Sequence, residues 1–81
     1  MYRKIDPPLH MTEIEASSRF PDEYILMQRD NRDLCSAGLV LYVGDDYMEL
    51  FRKGDQDNVP LALVIEGDHH WSYIGGVVVE A

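Results

Sequence analysis

The chain carries one cysteine, Cys35, in 81 residues, which excludes an internal disulfide and a cysteine-only metal site. Bases are scarce as well. Seven Lys and Arg stand against fifteen Asp and Glu, a formal net charge of −8, so the phosphates of nucleic acid are not an expected partner. No apolar run approaches the roughly 18–20 residues of a membrane span, and the start Met1-Tyr2-Arg3-Lys4-Ile5-Asp6 lacks a signal-peptide core. The expectation is a cytoplasmic protein with neither a membrane nor a nucleic-acid partner. Internal repeats and low-complexity tracts are missing too, and the length leaves room for one domain.

What the chain does have is apolar material. Hydrophobic residues make up 46%, including one Trp, five Tyr and two Phe, enough for one modest core. Asp6-Pro7-Pro8 cannot continue a helix and lacks donors at both prolines. Residues 1–10 therefore read as an N-terminal arm and 11–81 as a single α+β domain. Thr12 and Glu15 form a T-x-x-E capping box, predicting a short helix over 12–19 that stops before Phe20-Pro21, with Met11 placed to staple onto Ala16.

Two strands follow. The first spans about 23–29 and the second about 37–43, joined by the turn formers Asp30-Asn31-Arg32-Asp33. Strict alternation puts Leu39, Leu41 and Val43 on one face, with Val40 and Tyr42 on the other. Gly44-Asp45-Asp46 then breaks the strand and caps a second helix. Tyr47, Leu50 and Phe51 fall in one arc of about 100° at the helical repeat, and Gly54 is the expected C′ residue. After a polar loop from Asp55 to Pro60, residues 61–65 read as a third strand, making a right-handed parallel β-α-β unit with the second. Gly67-Asp68 suits a hairpin turn into a strand over 70–74. Gly75-Gly76 either bulges that strand or turns it back onto Val77-Val78-Val79. The predicted architecture is of order αββαββ, a mixed four- to five-stranded sheet with two short helices.

Residues 23–66 resemble a diffuse group of small bacterial and archaeal domains of unknown function with the order strand, turn, strand, helix, strand. The resemblance is carried by Pro21-Asp22-Glu23-Tyr24-Ile25-Leu26, Gly38-Leu39-Val40-Leu41-Tyr42, Asp45-Asp46-Tyr47-Met48-Glu49-Leu50-Phe51 and Leu61-Ala62-Leu63-Val64-Ile65. Some members are similar to accessory proteins encoded beside retropepsin-like proteins, which implies an accessory or partner role. The resemblance brings no catalytic residue. The acidic Asp55-Gln56-Asp57-Asn58 and the extension over 70–79 depart from the group's pattern.

Asp68-His69-His70 is the one dense set of metal-ligand types. Adjacent histidines of a strand point to opposite faces, so one ion would meet His69 or His70 with Asp68, Glu66 or distant His10. A polar turn with exposed imidazoles explains the same residues. Asp55-Gln56-Asp57-Asn58 lacks the glycine turn of a calcium loop. Acids near Cys35 disfavour its thiolate, and no glycine pattern suits a phosphate. No cofactor and no enzymatic activity are expected. Trp71 and Tyr73 share a face of the late strand and, with Val77 and Val79, are interface candidates.

The function these features favour is a non-enzymatic protein–protein interaction or assembly module, most simply a homodimer, with a different protein partner as the other form. Two alternatives compete with it. One is a metal-dependent or hydrolytic enzyme using Asp68, His69 and His70. The other is an acidic antitoxin-like or inhibitor protein that neutralises a basic partner.

Overall fold

A computed structural model describes residues 1–31 and 37–68, together with the backbone of 72–74 and 77–79. The order of elements is β1 (Tyr2–Thr12), α1 (Glu13–Arg19), β2 (Tyr24–Arg29), β3 (Ala37–Gly44), α2 (Tyr47–Gln56), β4 (Ala62–Glu66), β5 (Ser72–Ile74) and β6 (Val77–Val79). It is an α+β arrangement. Four strands form one sheet in the order β1-β3-β2-β4, and every neighbouring pair is antiparallel.

The sheet corrects three expectations. The residues expected as an arm form β1, an edge strand on β3. Pro7 and Pro8 do not prevent this, because they fall in a register shift between Lys4 and Leu9, where the ladder asks for no N–H. The sheet is not mixed. β3 and β4 do run the same way, since each is antiparallel to β2, but β2 lies between them and the β-α-β unit is split. Finally, Gly67-Asp68 is not a hairpin turn. Gly67 N–H donates to Glu23 O at 2.7 Å and Asp68 N–H to Ser17 O at 3.0 Å, so the segment is tied to α1 and the start of β2. A Cβ on Gly67 would stand 2.0 Å from Phe20 O, so only glycine allows this approach.

β5 pairs with β6 in a separate two-stranded sheet, with Ile74 opposite Val77. Gly75 and Gly76, whose role as bulge or turn was open in the sequence, lie outside the described residues.

Both faces of the four-stranded sheet are covered, each by one helix. On the α1 face, Ala16 and Phe20 pack with Ile25, Met27, Val40 and Val43, and Ile5, Leu9, Met11 and Ile65 lean against this cluster. Val40 and Val43 are three residues apart yet face the same way. The register explains it: Leu26 pairs with Tyr42 but Met27 with Val40, so Leu41 is an extra residue in β3. Strict alternation through β3 is thus broken at Leu41. On the α2 face, Leu50 is fully buried, and Leu26 meets Gly54.

Both helix starts are as the sequence predicts. Thr12 Oγ1 accepts from Glu15 N–H and Glu15 Oε1 accepts from Thr12 N–H, each at 3.1 Å. Asp46 caps α2 by accepting from Met48 N–H at 2.9 Å and Glu49 N–H at 3.3 Å. The end of α2 differs. Gly54 is inside the helix, and the chain leaves at Asn58, whose φ of 53° is left-handed. Val59 N–H donates to Gly54 O and Asn58 N–H to Asp55 O, the two bonds of a Schellman ending with asparagine in the glycine position.

Candidate functional site

The sheet has two edges, and they are built differently. β1 carries Lys4, Pro7, Pro8 and the register shift, features that blunt an edge against pairing. β4 has none of these. Its five residues, Ala-Leu-Val-Ile-Glu, pair with β2 in unbroken register from Ala62 to Glu66. Among the described residues its other side has no strand. Leu63, Val64 and Ile65 are all half-buried, an apolar edge of the kind that natural sheets normally protect.

A cleft of about 460 Å³ opens between this edge and α2. Leu26 and Gly54 lie at its base, Val64 and Ala62 on the strand side, and Tyr47 and Phe51 on the helix side. The aromatics form a short series. Tyr24 meets Tyr47 edge-on at 5.8 Å, and Tyr47 stacks on Phe51 at 6.3 Å with 18° between the rings. The apolar arc of α2 divides here. Leu50 is fully buried, while Tyr47 and Phe51 remain 44% and 55% exposed and neighbouring Met48 50%. Three large apolar side chains in two turns of one helix thus stand in solvent beside the β4 edge.

The charges nearby are mostly engaged in holding the scaffold. Lys53 pairs with Asp57 at 3.3 Å and stands 5.3 Å from the Tyr42 ring centre, so its ammonium is raised above the ordinary lysine value chiefly by Asp57. The Met1 ammonium bonds Asp45 and lies 3.3 Å from Glu49, which holds the Asp45 carboxyl below its usual range. Arg3 makes two bonds to Glu23, at 2.6 and 3.1 Å. Asp55 is exposed at the mouth of the cleft.

Of the residues singled out in the sequence, Asp68 is described. Its carboxylate accepts from Ser18 Oγ at 3.2 Å and its carbonyl from Asp22 N–H at 2.8 Å, so it buttresses the end of α1. His69, His70 and Trp71 lie outside the described residues, as does Cys35. Tyr73 belongs to β5, and Val77 and Val79 to β6; their side chains are not described either. His10, considered as a distant ligand, instead bonds Asp30 at 2.7 Å. Among the described residues no three His, Cys, Asp or Glu side chains gather where they could hold a metal ion. No helix among them is long and apolar enough to cross a membrane.

Sequence reasoning placed Tyr47 and Phe51 in the core. The missing information was lateral. Periodicity gives the arc a helix turns inward, but not that α2 lies over β2 and the edge strand β4, where part of that arc reaches past the sheet. The contrast between a proline- and lysine-bearing β1 and a β4 with neither was legible in principle, once both were known to be edges; Ser17 of α1, whose Oγ donates to Glu66 O at 3.2 Å, covers the end of β4. No family model matches the chain, no similar curated protein is found, and no solved structure matches it.

Proposed function

We propose that the protein is a non-enzymatic assembly module that works as a homodimer through the α2–β4 edge. The observation that carries this reading is the stacked Tyr47–Phe51 pair, about half exposed beside a strand that, among the described residues, has no strand on its outer side. Exposed apolar patches of this kind on small proteins mark contact surfaces. Tyr and Phe enter such contacts with large area and few rotatable bonds. An aromatic side chain offers roughly 150–250 Å² when fully bared, so the exposed parts of Tyr47, Phe51 and Met48 from two copies supply on the order of 500 Å². That is about half of the roughly 1,000 Å² a stable contact needs, and the rest of the α2–β4 cleft must supply the remainder.

A second copy is the occupant that needs nothing further from a partner, because one surface supplies both halves of a two-fold contact. Charge opposes it, since each copy carries −8. Screening at about 0.15 M salt shortens that repulsion to roughly 8 Å, so association should strengthen with salt. Light scattering behind a sizing column tests the reading. The expected mass is twice 9.3 kDa at micromolar concentration, falling to one copy for Phe51→Glu, where the half-exposed position lets a charge be carried without being buried. A single-copy mass over a broad concentration range in 0.3 M salt overturns it.

A further inference from the structure

We infer that the cleft between α2 and β4 is a binding site for a small apolar cation, a molecule with an aromatic or alkyl body and one ammonium or guanidinium head. The inference goes beyond the homodimer reading and is tested apart from it.

The size and lining of the cleft select the apolar body. Its volume of about 460 Å³ lies within the roughly 300–1,000 Å³ of small-molecule pockets. Leu26, Val59, Ala62 and Val64 supply aliphatic surface, and at its base Gly54 adds no side chain. Tyr47 and Phe51, four residues apart, stack into one aromatic wall on the helix side.

Charge selects the head group. Asp55 follows Phe51 by another four residues, so the same stripe of α2 ends in a carboxylate. It is the one charged side chain lining the cleft, where no Lys, Arg or His stands. The side chain is exposed and makes no hydrogen bond or ion pair with another described residue. In the last turn it also opposes the negative end of the helix dipole, so the helix itself disfavours its charge. Lys53, two positions earlier, is committed to Asp57 at 3.3 Å and to the Tyr42 ring, none of which lines the cleft. A bound cation therefore meets an unpaired carboxylate and two aromatic rings together. An anion meets Asp55 with no base to offset it. The chain's charge of −8 draws cations toward the surface as well.

The probes are phenethylamine, phenethyl alcohol as its neutral counterpart of nearly the same shape, and the anion phenylpropionate. Each is titrated into the isotope-labelled full chain and followed by residue-resolved amide shifts in NMR. Salt is kept near about 0.01 M, where two copies repel over roughly 30 Å and leave the cleft free. Phenethylamine should shift the Phe51, Asp55, Ala62 and Val64 amides with a Kd on the order of 1 mM, as so small a ligand allows. It should bind about 5-fold tighter than the alcohol, with phenylpropionate weakest. Asp55→Asn should bring amine and alcohol within about 2-fold of each other, and Phe51→Ala should weaken both. An amine preference that survives Asp55→Asn, or shifts scattered over the acidic surface, overturns the site, because net charge alone then attracts the amine. Absence of saturable shifts at the cleft overturns it too. Neither result touches the assembly reading, which stands or falls on the mass measured at higher salt.

Discussion

Gly54 of α2 rests directly on Leu26 of β2: a methyl group added to the glycine would stand 3.1 Å from Leu26 Cδ1 and 3.6 Å from the Ala62 methyl. The helix approaches the sheet this closely because that position has no side chain. Leu26 is itself fully buried and has little room to yield. Gly54→Val should therefore destabilise by about 1–3 kcal/mol through overpacking, despite removing a helical glycine. Chemical denaturation checks it, and a more stable variant would mean that α2 sits farther from the sheet.

Leu50 is the fully buried residue of the same helix. Leu50→Ala should cost about 2–4 kcal/mol, the lost transfer energy plus the cavity. The exposed Phe51 supplies a matched control. Phe51→Ala should change the stability of the single-copy form by well under 1 kcal/mol, the usual range for a surface substitution. Equal losses for the two variants would contradict the division of the apolar arc.

Thr12 and Glu15 satisfy one backbone N–H each at the start of α1. Thr12→Ala should cost about 1 kcal/mol. Thr12→Ser keeps the acceptor and should recover most of the loss in urea titrations. Recovery by Thr12→Val instead would point to packing of the methyl group.

The same cap predicts a pH dependence. The Thr12 N–H, and after it the Thr12 side chain, hold the Glu15 carboxyl below its ordinary value. A carboxyl depressed in the folded state contributes stability that is complete above its unfolded pKa and fades as pH falls through the folded one. The contribution is therefore present at pH 7 and begins to fade near about pH 5, where an unperturbed glutamate with pKa about 4.3 starts to protonate. Glu15→Gln, which keeps the bond but does not titrate, should lose less stability than the wild type between pH 5 and 3. A constant difference over that range would refute the assignment.

The residues that carry local chemistry were the legible ones. Thr12 with Glu15, and Asp46 at the second cap, announce both helix starts because capping depends on side chains a few positions apart. β2, β3 and β4 follow from their apolar runs. What the sequence withholds depends on contacts distant along the chain. Pro7-Pro8 reads as a break until β3 is seen to tolerate a gap opposite it. Gly54 reads as a helix end until Leu26 is seen beneath it, while the true ending falls on Asn58. Tyr47 and Phe51 read as core until α2 is placed over β2 and the edge strand β4. For the proposed site the signal was partial: the aromatics were visible as a group, the strand edge was not.

The extra residue in β3 also sets which insertions and deletions the chain can accept. Upstream and downstream of Leu41 the strand is written in two frames, each correct for its own half of the core. Removing any other single residue between Val40 and Val43 is equivalent to removing Leu41 only if the neighbouring side chain can take the vacated place. Deleting Tyr42 discards the ring that meets Tyr2 at 5.5 Å, whereas deleting Leu41 joins the frames and leaves both valines inward. Length variation in this strand is thus expected to be tolerated at one position, and a shortened relative would differ from this chain there by a missing residue and not by a substituted one.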